Sequence, residues 1–258
     1  MLTHTDFGWL RKLLLVAGLA CAHFGCGEVS DASVNDRGNI HTIAKAHASN
    51  PTVAIDGDTE TTFVAWIGTQ EEQSNVYVSA LRKGEKHFSS AVQVNDRNGR
   101  AAPHGEAPPQ VAVGPEGNVY VLWHYNIPIE GRRFPASNLQ FARSVDAGKT
   151  FSPAIFVNDD HNSEPSSHNF HAMTVAADGT IYVSWLDGRD RDRSPQVRVA
   201  RSVDSGVSFE PSVVVADKVC TCCRIALASD AQNRLFVAYR DASENNIRDI
   251  AIARSDDR

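Results

Sequence analysis

Two stretches near the middle of the chain carry the same residues in the same order: Ser144-Val-Asp-Ala-Gly-Lys-Thr-Phe151 and Ser202-Val-Asp-Ser-Gly-Val-Ser-Phe209. They share the pattern Ser-x-Asp-x-Gly-x-Thr/Ser-Phe and begin 58 residues apart. A period of that size, in sequence dense with short alternating strands, points to a radial array of small sheets. The chemistry of the repeat is that of a turn. Its aspartate can accept backbone hydrogen bonds and its glycine permits a left-handed conformation. Ser144, Asp146, Gly148, Phe151, Ser202, Asp204, Gly206 and Phe209 are therefore assigned a structural role. The last four residues, Ser255-Asp-Asp-Arg258, read as a third copy that stops before its glycine, so the sequence is expected to be a fragment of a longer protein.

Aligning the chain on its turn residues gives four units. Innermost strands are expected at Thr52–Ile55, Gln110–Val113, Thr174–Ala177 and Ala226–Ser229, and most run into an Asp-Gly or Glu-Gly turn, a strong hairpin signal. Second strands match in register: Phe63-Val-Ala-Trp66, Tyr120-Val-Leu-Trp123, Tyr182-Val-Ser-Trp185 and Phe236-Val-Ala-Tyr239. The recurrent aromatic is expected to pack between neighbouring sheets. Third strands follow at Val76–Leu81, Leu139–Arg143, Val197–Arg201 and Ile250–Arg254, and outer strands at Val92–Val94, Ile155–Val157 and Val213–Val215. Four strands per unit without helical periodicity fit an all-β propeller, with blades at about 47–104, 105–167, 168–219 and 220–258, the last incomplete.

Net charge is −6 and no basic stripe is visible, which argues against nucleic acid as a partner. Arg11-Lys12 precedes the apolar run Leu13–Ala20, the layout of an export signal over residues 1–26. Cleavage near Ala22 and lipidation at Cys21 or Cys26 both remain open. Lipidation would supply the sole expected contact with a membrane. Residues 27–46 are polar and patternless, a tether. The protein is thus expected outside the cytoplasm.

The repeat resembles the Asp-box, or bacterial neuraminidase repeat, of the sialidase-like superfamily, and the resemblance covers residues 48–258. It implies a propeller of about six blades, of which about three and a half are present. It also implies that the boxes lie opposite the functional face, that the partner is a carbohydrate or glycoconjugate, and that the reaction is sialidase-type hydrolysis of acidic sugars. The family's Arg-Ile-Pro motif in the first blade is replaced by Asn50-Pro51-Thr52, and its tyrosine nucleophile and final arginine belong to later blades. The alternative is a non-catalytic glycan- or metal-binding propeller at the cell surface. The chain further looks like a subset of such proteins with a Cys-x-Cys-Cys-Arg segment, here Cys220–Arg224.

The functional face is expected on the loops 95–109, 158–173 and 216–225 and on 67–75, 124–137, 186–196 and 240–249. Candidate catalytic groups are Asp187, Arg189, Arg224, Arg240 and Asp241. Bidentate arginines suit a sugar carboxylate, and Arg132, Arg133, Arg189, Arg224 and Arg240 are the candidates for that contact. Counting seven residues back from Val111, Val175 and Leu227 reaches His104, His168 and Cys220; four residues back gives His171 and Cys223. If equivalent positions converge on the axis, these groups with Cys222 make a soft site suited to copper or zinc. In an exported protein the plainer reading of the cysteines is a disulfide among these three or to an upstream cysteine.

Overall fold

The computed structural model describes residues 40–44, 47–190, 194–243, 245 and 247–255. The export segment, Cys21 and Cys26, and the final Asp256-Asp-Arg258 lie outside these residues. The unit from His41 onward is built of antiparallel sheets, each strand paired with its neighbour in sequence. The first sheet holds β1 (Ala48–Asp56), β2 (Thr61–Gln70), β3 (Gln73–Leu81) and β4 (Val92–Gln93). The second holds β5 (Gln110–Val113), β6 (Val119–Ile127), β7 (Ala136–Ser144) and β8 (Ile155–Phe156). The third holds β9 (His168–Val175), β10 (Ile181–Asp187), β11 (Gln196–Ser202) and β12 (Val213–Ala216). The fourth has three strands among the described residues: β13 (Ala226–Ser229), β14 (Leu235–Arg240) and β15 (Ile250–Ser255). These are propeller blades, and among the described residues no helix is long and apolar enough to cross a membrane.

Alternation along each second strand explains the stacking. In β6, Val119, Val121 and Trp123 pack toward the first sheet with Phe63, Ala65 and Val78, whereas Tyr120 and Leu122 pack toward the third with Ile181, Val183 and Trp185. A central blade is covered on both faces, so β6 and β10 read as nearly continuous apolar runs. The register aromatics fill these seams: Trp123 and Trp185 are fully buried, and the Trp123 indole N–H donates to the Arg100 carbonyl at 2.7 Å.

The repeated turn closes each seam at one end. Asp146 Oδ1 accepts from the Lys149 and Thr150 amides at 3.0 and 2.9 Å, and Thr150 Oγ1 donates to Oδ2 at 2.6 Å. Asp204 repeats this with Val207 and Ser208. Ser144 and Ser202 hydroxyls each donate to their aspartate at 2.7 Å and accept the glycine N–H at 2.9 Å. The Thr150 hydroxyl first, then Ser144 and the turn amides, hold the Asp146 carboxyl down to about 2. Phe151 drops into the first seam and Phe209 into the second, edge-on to Phe141 at 5.1 Å.

Strand pairing also fixes which end is which. Val119 pairs with Ser144 at the turn end of β6 and β7, and Ile127 pairs with Ala136 at the other. At about 3.3 Å per residue, the repeated turn lies roughly 25 Å from the loop end of its blade. Asp187 and Arg240 are the last residues of their second strands at the loop end, and His124 lies three residues before the end of β6.

Candidate functional site

Three side-chain clusters occupy the loop end. The first bridges the second and third blades. His168 is buried, its Nδ1 lies 2.6 Å from the Ser137 carbonyl, and its Nε2 lies 2.9 Å from Asp160 Oδ1 and 3.5 Å from Asp187 Oδ2. Both ring nitrogens thus face oxygen atoms of neighbouring strands and loops. Asp187 is fully buried and accepts from the Trp185 indole at 2.7 Å, the Arg189 amide at 3.0 Å, and Arg189 Nε and Nη2 at 2.9 and 2.8 Å. Arg189 Nη2 also reaches Asp159 Oδ1 at 2.7 Å. Burial works against the Arg189 charge but Asp187 and Asp159 outweigh it and raise its pKa; burial likewise opposes the Asp160 charge, yet hydrogen bonding from His168 leaves that carboxyl lowered.

The second cluster gathers three imidazoles, His104 from the loop before β5, His124 from β6 and His171 from β9. His124, on β6, lies with its ring 6.0 Å from that of His104 and 5.6 Å from that of His171. His171 Nε2–H donates to the Pro108 carbonyl at 3.0 Å, leaving Nδ1 buried with no hydrogen-bond partner among the described residues. His104 is exposed and its Nδ1 accepts the Glu106 amide at 3.2 Å. Burial, then repulsion from His104, pushes the His124 pKa down to about 4; burial, then His124, pushes His171 to about 3. Both rings are therefore neutral near pH 7, able to accept a proton or a hydrogen bond.

The third cluster is the cysteine segment. Cys220 is buried, Cys223 half-buried and Cys222 exposed, and all three carry free thiols. Arg240, at the end of β14, directs Nη1 at Cys223 Sγ, 3.6 Å away. Asp241 is held by backbone pairing with Val219.

This arrangement corrects the sequence expectations at several points. His168 and His171 are not loop residues, because β9 begins at His168, six residues before the expected strand. Phe170 takes φ 55° and the register slips between Ser184 and Leu186, which inserts a bulge that carries the strand onward. The count of seven residues does not mark equivalent positions either. The Ala102 amide binds the His124 carbonyl as the Cys220 amide binds the Arg240 carbonyl, so Ala102, not His104, matches Cys220. Imidazoles and thiols consequently do not merge into one site: among the described residues the groupings able to hold a metal are Cys220/Cys222/Cys223 and Asp160/His168/Asp187. In the second, His168 Nε2 lies 2.9 Å from Asp160 Oδ1, and Arg189 Nη2 lies 2.8 Å from Asp187 Oδ2.

Arg189 is not a free clamp, since three carboxylates surround it. Arg224, Arg132 and Arg133 are exposed, and Arg133 lies over the Phe134 ring at 5.2 Å. His124 and Asp160 were absent from the sequence candidates. His124 sits one residue past the register aromatic, at the place held by Leu186 and Arg240 in the next blades, and that polar break in an apolar position was the available signal.

No protein-family model and no curated protein matches the sequence. Solved structures do match. Hadza microbial sialidase Hz136 superposes with a TM-score of 0.54 at 16% identity, over 82% of this chain and 45% of that one. The fold is that of the sialidase-like propellers. An α-L-arabinanase from Penicillium chrysogenum gives a TM-score of 0.57 at 14% identity, over 82% of this chain and 63% of its own. A polysaccharide lyase, the PL25 ulvan lyase bound to a GlcA-Rha3S unit, gives 0.54 at 14% identity, over 78% and 48%. The chain spans about half the length of the sialidase and the lyase.

Proposed function

We propose that the protein is an exported, glycan-acting propeller that takes an acidic sugar on its loop face. The observation that carries this reading is the contrast among its arginines. Arg189 is neutralised by Asp159, Asp160 and Asp187, whereas Arg132, Arg133 and Arg224 are exposed with no carboxylate within 4.0 Å among the described residues. A surface guanidinium without an internal partner is available for a carboxylate or sulfate ester. The neighbours in fold support the ligand class, because a sialidase, an arabinanase and a ulvan lyase are all proteins of carbohydrates. Export rests on the basic-then-apolar layout of residues 11–20.

Sialidase-type hydrolysis is the reaction to test first. The acids best placed for it, Asp187 and Asp160, are engaged with Arg189 and His168, and this favours a binding role for the described blades as the second reading. The protein should be assayed for turnover of a fluorogenic sialoside and for binding to sialylated, uronate and neutral glycans. Turnover, or binding of acidic over neutral glycans that weakens at least tenfold in Arg224→Ala, supports the proposal. Equal affinity for neutral and acidic glycans, or no interaction with either, overturns it.

A further inference from the structure

The cysteine segment is held in place before any ligand arrives. The Cys220 amide donates to the Arg240 carbonyl at 2.9 Å, the Ala242 amide donates to the Lys218 carbonyl at 2.9 Å, and Val219 bridges Asp241. The backbone between β12 and β13 is therefore pinned at a defined point and turns through Cys220-Thr-Cys222-Cys223 beside the end of β14. The three sulfurs lie within 4.8 Å of one another, and Cys220 Sγ is 3.7 Å from Cys222 Sγ.

That spacing matches a metal thiolate. With metal–sulfur bonds of about 2.3 Å, the sulfurs of a tetrahedral site stand roughly 3.8 Å apart and those of a trigonal site roughly 4.0 Å. Two cations support the same face: Arg248 Nη1 lies 3.4 Å from Cys220 Sγ and Arg240 Nη1 lies 3.6 Å from Cys223 Sγ. Three thiolates around a mono- or divalent ion leave net negative charge, which flanking guanidiniums offset while their N–H groups orient the sulfurs. We propose that Cys220, Cys222 and Cys223 form a three-thiolate site for a thiophilic d¹⁰ cation, zinc(II) or copper(I), with Arg240 and Arg248 donating to the ligating sulfurs. Exposed Cys222 leaves the remaining coordination position open to solvent or to an incoming ligand.

The site is independent of the glycan reading and is tested on its own. The whole chain, produced without an affinity-tag metal and reduced under argon, is titrated with zinc(II) against a chromophoric chelator and separately with copper(I). One equivalent of either ion should bind, and intact mass after alkylation should show three of the five cysteines shielded. Cys222→Ser and Cys223→Ser should each weaken binding at least a hundredfold with far-ultraviolet circular dichroism unchanged. Arg248→Gln should weaken it by about tenfold. Because Cys220 is buried, its serine variant may be read only if folded; the exposed Cys222→Ser serves as the decisive variant. Binding of less than 0.2 equivalents (roughly), serine variants that bind as the parent does, or peptide maps showing a Cys220–Cys222 disulfide in protein that takes no metal after reduction would each overturn the proposal.

Discussion

At the scale of single residues, the loop end shows how a charged motif can be absorbed into structure. Asp187 is sealed from solvent with Arg189 as its principal charge partner, and Arg189 itself is one-quarter exposed. Removing the guanidinium leaves a buried carboxylate short of compensation, a change that costs about 3–5 kcal/mol for fully buried pairs and less where water can enter. Arg189→Ala is therefore expected to lower unfolding stability by about 2–4 kcal/mol in urea, while glycan affinity measured on the folded fraction stays unchanged. An Arg189→Ala protein of unaltered stability that loses glycan binding would restore the clamp role. The sequence exposed the residues of this cluster but not their pairing. Asp187-Gly-Arg189 was visible as an alternating charge run, whereas Asp159 and Asp160, 30 residues earlier in the chain for the former, arrive only through the outer edge of the second blade. Nothing local in Val157-Asn-Asp-Asp160 says that one aspartate will meet an arginine and the next a histidine. Asn158 positions that corner by accepting the Leu139 amide at 2.9 Å, and Asn95 does the same for Val76 at 2.8 Å in the first blade, which explains why Val-Asn-Asp occurs twice.

At the scale of elements, second and third strands were legible because both alternation and register aromatics survive in the sequence, and their expected bounds fall inside the observed strands. The innermost strand of the third blade was not, since a bulge has no simple periodicity and Phe170 carries its positive φ without a glycine to announce it. The repeated turns were legible in the roles of their aspartate, which accepts backbone amides, and their glycine, which takes a left-handed φ. Their glycines are constrained twice, by left-handed φ and by close approach. Gly206 sits at φ 80°, and an added Cβ would stand 2.5 Å from the Phe141 ring. Gly206→Ala is expected to cost about 2–4 kcal/mol, combining the left-handed penalty with overpacking against Phe141. Gly57→Ala, where a Cβ meets nothing within 4 Å, is the control and should shift stability by under about 1 kcal/mol. Comparable losses in the two variants, read from denaturant midpoints, would show that the turn glycine is not under this constraint.

At the scale of the whole molecule, the blades cohere through their innermost strands, and the groups that stitch them are acid-sensitive. Pro108 and Pro109 carbonyls accept His171 from the third blade and Thr52 from the first, at 3.0 and 2.6 Å, so one short segment ties three blades. Among the described residues, Val53 and Ile55 on β1 and Ile250 and Ile252 on β15 are exposed. His124 and His171 lie in such a seam with folded pKa values of about 4 and 3, below the ordinary 6.5. An unfolded chain binds protons at these positions before the folded one does, so stability rises with pH across that interval. Their contribution is complete above pH 6.5 and is lost as pH falls from 6.5 toward 4, by at most about 1.4 kcal/mol per pH unit for each ring. The turn carboxylates Asp146 and Asp204, held to about 2 from an ordinary 3.8, enter only below that range. Denaturation at pH 7.5, 6, 5 and 4.5 should thus show a progressive loss that the His124→Gln/His171→Gln pair removes, because glutamine keeps a donor for Pro108 but does not titrate. A doubly substituted protein with the parent's slope between pH 6 and 4.5 would place the acid sensitivity elsewhere, and would remove the basis for treating the two rings as neutral acceptors at the loop end.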